Sequence, residues 1–204
     1  MARYQPHDAY YWRARERGLP SRAAFKLDEL LARHRLIRSG ARVIDLGCAP
    51  GGWLAVLAEA VGARGRVIGI DLAPSRVASP NVIALTGDLN DPAIRAEALA
   101  RLAGQADLIT SDLSPKLTGI ADRDQARSAE LLYVALEFAR TALRPGGAMV
   151  AKAFMGAAFD EIAAEFRRAF ARVELTRPRA SRPGSAEIYL VATGFKPDPH
   201  PAQA

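Results

Sequence analysis

Val43 and Ile44 lead into the run Asp45-Leu46-Gly47-Cys48-Ala49-Pro50-Gly51-Gly52-Trp53, which passes directly into the helical periodicity of residues 54–61. An apolar strand, a glycine-rich loop and a helix in immediate succession open an α/β unit, and few other folds accommodate them. Glycines in such a loop let the backbone turn sharply and approach a ligand at the helix N-terminus. The spacing is not that of G-x-G-x-x-G, and Pro50 sits inside the loop. A cradle for pyrophosphate therefore fits less well than one for the amino-acid end of S-adenosylmethionine, which carries no phosphate. Gly47, Pro50, Gly51, Gly52 and Trp53 are the candidate cofactor contacts of this loop. The plain alternative is an ordinary Gly-rich turn.

The unit then repeats. Residues 66–72, 81–88, 106–113 and 148–154 read as further strands, alternating with helices over 53–61, 92–103, 124–143 and 157–170. Arg144-Pro145-Gly146-Gly147 is the stop signal of the longest helix. The last segments, 171–177 and 186–194, read as strands with no room for a helix between them, so they pair antiparallel. The expected fold is α/β, a Rossmann-like, mostly parallel seven-stranded sheet with one antiparallel strand. Ahead of it, Pro20-Ser21 opens an amphipathic helix with Ala23, Leu27, Leu30 and Leu31 on one stripe, ending near Ser39-Gly40. The expected organisation is a single domain over 1–204, with a basic helical extension at 1–40, a catalytic core at 41–195 and a frayed Pro-rich tail at 196–204.

No apolar run approaches the length of a membrane span, and the N-terminus lacks a signal-peptide core, so no membrane partner is expected. The one cysteine, Cys48, excludes an internal disulfide framework, suits a reducing cytoplasm and leaves a metal site without a second thiolate. Residues 1–40 hold nine basic against four acidic side chains, which is five of the six net positive charges. Arg172, Arg177, Arg179 and Arg182 form a second cluster. Such clusters suit a polyanion, nucleic acid ahead of anionic membrane, although arginine-rich composition alone is the bland explanation.

Ligands of open α/β sheets lie beyond the C-terminal strand ends. Asp45, Asp71, Asp88 and Asp112 end the first four strands. Asp71, some twenty residues past the loop, is placed to accept a ribose diol, and Asp88 to accept an adenine amino group, with Leu72 and Leu89 beside the ring. A single strand-end Asp is commonly a helix cap, whereas a series beside a glycine loop points to binding. Lysine is scarce, with four in the chain, yet Lys152 lies inside a central strand and Lys26 at the edge of an apolar helical stripe. Glu187 begins the last strand in the alternating series Glu187, Tyr189, Val191.

With residues 45–53, 111–119, 144–154 and 181–197, the chain resembles the FtsJ/RrmJ family of ribose 2′-O-methyltransferases from about Tyr11 to Pro197. The resemblance implies S-adenosylmethionine as methyl donor and a catalytic tetrad of Lys26, Asp112, Lys152 and Glu187. For a bacterial member of this length it implies methylation of an A-loop uridine in 23S ribosomal RNA during large-subunit maturation. The partner is then ribosomal RNA, within the large subunit or a late assembly intermediate, and the protein a monomer. A ribose hydroxyl is a poor nucleophile, so its proton must be removed or stabilised away as oxygen, methyl carbon and sulfur align. Lys152 is the expected base, Asp112 its orienting partner, Lys26 a contact to the target nucleotide and Glu187 the residue that positions Lys26. Lys116, where many bacterial relatives carry Asn, is a candidate RNA contact, and Tyr10, Tyr11 and Trp12 are candidates to stack on an unpaired base or to dock a helix. Family members acting on transfer RNA share the tetrad, and a small-molecule methyltransferase would share the loop. A non-enzymatic RNA-binding protein on the same fold is the remaining alternative.

Overall fold

The computed structural model describes residues 9–115, 118–156, 159–181 and 186–197, apart from the side chains of residues 121 and 122. The strands are β1 (Arg42–Leu46), β2 (Arg66–Asp71), β3 (Val82–Thr86), β4 (Ala106–Ser111), β5 (Leu143–Phe154), β6 (Phe170–Thr176) and β7 (Glu187–Phe195). They form one seven-stranded sheet in the order β3-β2-β1-β4-β5-β7-β6. All pairs are parallel except those of β7, which runs antiparallel to both β5 and β6. The mostly parallel α/β sheet with one antiparallel strand is thus as expected.

Helices α1 (Ala9–Glu16), α2 (Ala24–His34), α3 (Gly52–Val61), α4 (Pro92–Leu102), α5 (Ala121–Ala142) and α6 (Phe159–Ala169) surround the sheet. Side chains alternate across a strand, so the central strands, apolar on both sides, feed two cores. Ile44, Leu46, Ile109, Met149 and Ala151 pack beneath α4, α5 and α6. Val43, Leu108, Val150 and Val191 pack on the other face beneath α2 and α3. That second face also carries the polar residues of the site described below.

Several boundaries differ from the sequence expectation. Helix α1 was not foreseen, because its charged and aromatic residues make no apolar stripe and only Ala14 is buried. Helix α2 stops at His34 rather than near Ser39-Gly40. Arg35 takes a left-handed conformation at φ 50° and donates its N–H to Leu31 O, a stop that glycine or asparagine usually marks. Strand β5 begins at Leu143, opposite Ala106, and resumes pairing with β4 at Ala148 opposite Leu108, so Arg144 to Gly147 form an irregularity inside the strand rather than a loop ahead of it. Lys196, within the expected tail, donates its N–H to Ala169 O at 2.8 Å, while residues 198–204 lie outside the described residues.

One contact fixes α2 over the sheet. Trp53, in the first turn of α3, is buried, and its Nε1–H donates to Ala23 O at 2.9 Å. Its ring lies against Tyr189 of β7 at a centroid separation of 6.0 Å. Residue 26 is one helical turn beyond residue 23, so this bond sets where Lys26 sits. Replacing Trp53→Phe keeps an apolar ring and removes the donor. We expect an unfolding free energy lower by about 1–3 kcal/mol, read by denaturant titration, and an unchanged midpoint would refute the role.

Candidate active site

The chain runs outward from β1 to β3 and then crosses back to β4 on the other side of β1, which opens a crevice between β1 and β4 at their C-terminal ends. A cavity of about 310 Å³ occupies this end. Gly47 and Ala49 of the loop line it, together with Asp71 and Leu72 after β2, Asp88 and Leu89 after β3, and Asp112 after β4. Gly47 adopts φ 77°, and a Cβ there would lie 2.9 Å from Leu113 N, so loop and strand end meet backbone to backbone. Asp112 N–H donates to Leu46 O at 2.9 Å across the same seam.

Asp71 holds the loop in shape: its Oδ2 accepts from Ala49 N–H and its Oδ1 from Ala73 N–H, both at 2.9 Å. Each oxygen keeps a lone pair for a ligand hydroxyl. Asp88 Oδ1 accepts from Asn90 N–H at 2.9 Å. Leu89 is buried, whereas Leu72 is 74 % exposed and offers a free apolar surface. Among the described residues the lining contains three carboxylates and no lysine or arginine. Such a cavity favours a cation bearing hydroxyl groups and repels a pyrophosphate.

Pro50, Gly51, Gly52 and Trp53, expected beside Gly47, do not line the cavity. A Cβ on Gly51 would strike Val77 Cγ2 at 2.4 Å, and one on Gly52 would strike Ser21 Oγ at 2.1 Å. These two glycines let the chain around residue 77 and the segment before α2 close onto the start of α3. The Trp53 side chain turns to the α2 side, as described above.

The four tetrad residues meet on the sheet face covered by α2 and α3. Lys152 Nζ stands 3.1 Å from Asp112 Oδ1 and donates to Asp112 O at 2.9 Å, with 8 % of its side chain exposed. Lys26 Nζ stands 2.5 Å from Glu187 Oε1. Between the two pairs lies Tyr189, fully buried, the cross-strand neighbour of Lys152. Its hydroxyl donates to Asp112 Oδ1 at 3.3 Å, and Lys26 Nζ sits 5.9 Å from its ring centroid. Ser181 Oγ donates to Glu187 Oε1 at 2.9 Å. Burial works to raise the Glu187 carboxyl. The Lys26 hydrogen bond and charge, Ser181 and the Lys152 charge outweigh it and hold the group below its usual range. Burial and the charge of Asp112 push the Tyr189 hydroxyl well upward, so it stays a donor.

Tyr189 and Ser181 were not singled out from sequence. The alternation Glu187, Tyr189, Val191 held the signal for Tyr189, since a buried tyrosine on the face of Glu187 must find a partner for its hydroxyl. The N-terminal segment and the β6–β7 connection, both basic, are tied together: Arg22 donates to Ala180 O, and Arg179 N–H donates to a Glu29 carboxylate oxygen at 2.8 Å. Tyr10 packs against Phe25 and Tyr11 stands edge-on to Trp12, whose side chain is 52 % exposed. Tyr10 is therefore part of a small helix-docking core, while the half-exposed Trp12 carries the Arg15 guanidinium over its ring at 5.7 Å. Lys116 and Arg182 lie outside the described residues.

Comparison with known proteins gives a consistent picture. The profile of the FtsJ-like methyltransferases matches residues 19–195. A Ribosomal RNA large subunit methyltransferase E of Anaeromyxobacter sp. (strain Fw109-5) is 44 % identical over 194 residues, covering 95 % of this chain and 70 % of that protein. The protein of that name from Myxococcus xanthus is 43 % identical, covering 92 % of this chain and 89 % of its own length. Among solved structures, one assigned as a ribosomal RNA methyltransferase from Plasmodium falciparum superposes with a TM-score of 0.76 at 26 % identity, over 86 % of this chain and 98 % of that one. Human Methyltransferase-like protein 13, solved with SAH, shares the fold at a TM-score of 0.59 and 16 % identity, over 86 % of this chain and 84 % of that one.

Beside the tetrad, Asp45 carries a charge problem of its own. It is fully buried, its Oδ1 accepts from Thr110 Oγ1 at 2.7 Å, and its Oδ2 has no partner. Burial, opposed by the Thr110 bond and reinforced by Asp112 and Asp71, pushes it from 3.8 up to about 8. The folded state thus binds a proton that the unfolded chain releases above pH 4. The stability that Asp45 contributes is fully present below its unfolded value and is lost as pH rises toward 8, by at most about 1.4 kcal/mol per unit. Asp45→Asn cannot ionise. Its unfolding free energy relative to the natural protein should climb between pH 5 and pH 8, whereas parallel pH profiles would contradict a neutral Asp45.

Proposed function

Because the chain belongs to the FtsJ-like methyltransferase family, we propose that it transfers the methyl group of S-adenosylmethionine to a ribose 2′-hydroxyl of large-subunit ribosomal RNA. The observation that carries this reading is the double position of Asp112. It lines the carboxylate-rich cavity and at the same time orients Lys152 at the end of β5. Cofactor cavity and candidate base therefore meet at one residue.

The residues present suit the cofactor. Asp71 offers acceptors to a ribose diol, Asp88 with Leu72 and Leu89 offers an acceptor and apolar surface to adenine, and Asp112 a negative charge to the cationic end. The bound cofactor supplies an electrophilic methyl group whose sulfur loses its positive charge on transfer. Everything else falls to the chain. In this step Lys152 acts as the free amine, its own proton given up to solvent beforehand: the nitrogen accepts the 2′-hydroxyl proton as the oxygen takes the methyl group, and Asp112 keeps that amine directed at the cavity. Tyr189 occupies one lone pair of Asp112 and so limits its rotation. Lys26, fixed by Glu187 and Ser181, presents a positive charge to the attacking oxygen or the neighbouring phosphate. An uncharged hydroxyl thereby gains partners for both its departing proton and its developing charge.

The finer target is the A-loop uridine of 23S ribosomal RNA, presented on the large subunit or a late assembly intermediate in the cytoplasm. Among the described residues no helix is long and apolar enough to cross a membrane. The basic α1–α2 segment, with the half-exposed Trp12, is tied to the Arg177–Arg179 connection that leads to Ser181 and Glu187, and together they suit a nucleic-acid chain.

In a single-turnover assay with labelled S-adenosylmethionine and large-subunit ribosomal RNA, Lys152→Ala should retain cofactor affinity within a few-fold. Methyl transfer should fall by about 10²–10⁴-fold, the usual worth of a positioned base. Transfer close to that of the natural protein would remove Lys152 from the chemistry.

A further inference from the structure

The opposite end of the sheet, where the parallel strands begin, holds a second hollow of about 790 Å³. Six arginines wall it: Arg38 before β1, Arg42 at its first residue, Arg64 before β2, Arg66 at its first residue, Arg101 near the end of α4, and Arg144, the second residue of β5. Arginine accounts for 24 of the 204 residues but 6 of the 17 that line this hollow, about three times its share. Composition alone does not put them there.

Their charge is largely uncancelled. Among the described residues Asp107 is the one acid in the wall; it accepts from Arg42 N–H at 2.9 Å and from Arg144 Nε at 2.8 Å, with Arg38 Nη2 at 3.7 Å. Arg101 meets Glu97, an exposed helical neighbour, at 3.2 Å. Arg66 donates to the backbone oxygen of Arg101 at 2.7 Å, which steadies its guanidinium without neutralising it. Two carboxylates thus face six guanidinium groups, and four positive charges remain. Guanidinium is the side chain whose fork matches phosphate oxygens.

The hollow extends from the start of β2 across β1 and β4 to β5, three interstrand spacings or about 14 Å. That length suits a stretch of sugar–phosphate backbone better than one phosphate. It is also remote from the chemistry. Leu143 pairs with Ala106 and Ala148 with Leu108, so six strand rises, about 20 Å, separate the start of β5 from Lys152.

We propose that this arginine-lined hollow is a second RNA-backbone site, which grips the substrate RNA far from the nucleotide being methylated. The inference rests on the reading of the chain as an RNA methyltransferase and deepens it. A stem–loop bearing the target nucleotide and shorter than this span engages the tetrad alone. Full-length ribosomal RNA does, by folding around the protein. The hollow therefore favours long, structured substrates without touching the reacting atoms.

The test compares the natural protein with the double variant Arg38→Glu, Arg64→Glu, both exposed side chains away from the tetrad. The control is Arg167→Glu, Arg168→Glu, which makes the same change of charge on α6 outside the hollow. The hollow variant should bind full-length large-subunit ribosomal RNA about tenfold or more weakly, and its log affinity against log salt should be shallower by about 1.5–2. Its cofactor affinity, its melting temperature and its methylation of a short stem–loop should stay as in the natural protein, and the control should keep the full salt slope. Unchanged affinity and slope on the full-length RNA would overturn the proposal, as would an equal loss on the short RNA or in the control. If the natural protein bound no RNA at all, the proposed function would fall with it. If it methylated ribosomal RNA while the hollow variant matched it, the hollow alone would be refuted.

Discussion

Two lysine–carboxylate pairs set on either side of a buried tyrosine are the constraint around which this protein is arranged. Lys152 with Asp112 and Lys26 with Glu187 are largely withdrawn from water, and withdrawn charges are tolerable only when paired and hydrogen-bonded. Tyr189 serves both pairs, through its hydroxyl on one side and its ring on the other. Removing any one member leaves a charge in a place of low dielectric. The same low dielectric strengthens every interaction that a transferring methyl group would meet.

The topology follows from delivering these residues to one place. Asp112 and Lys152 arrive as ends of neighbouring parallel strands. Glu187 is the first residue of its strand, and a first residue can reach the C-terminal end of a parallel sheet only if its strand runs the other way. The register Phe154 to Glu187 shows this, and it gives the single antiparallel strand a chemical reason. Lys26 comes from ahead of the sheet, on a helix fixed in place by the Trp53 indole. The glycine loop divides cavity lining and packing between different residues. Gly47 faces the cavity, while Gly51 and Gly52 let neighbouring chain segments approach.

Much of this was legible in the sequence because it rests on periodicity and on polar residues in improbable places. A lysine inside an apolar strand and aspartates at successive strand ends are local signals, and both led to the site. What escaped rests on tertiary context. The turn at Arg35 uses a residue that gives no sign of left-handed geometry. Helix α1 is stabilised by cation–π and docking contacts around Tyr10 and Phe25 rather than by an apolar stripe. The roles of Tyr189 and Trp53 depend on which neighbours they meet, which no spacing discloses. The two ends of the sheet have opposite electrostatic character, carboxylates at the strand ends and arginines at the strand starts, and this emerges only when loops distant in sequence are brought together.

The central claim is that the acceptor is a ribose hydroxyl. The most direct measurement is to incubate the protein with labelled S-adenosylmethionine and large-subunit ribosomal RNA, digest the RNA to nucleosides and identify the labelled product by mass spectrometry. The account predicts one 2′-O-methylated nucleoside, with the label in the sugar fragment. Label in a base fragment, or none in the RNA, would contradict it.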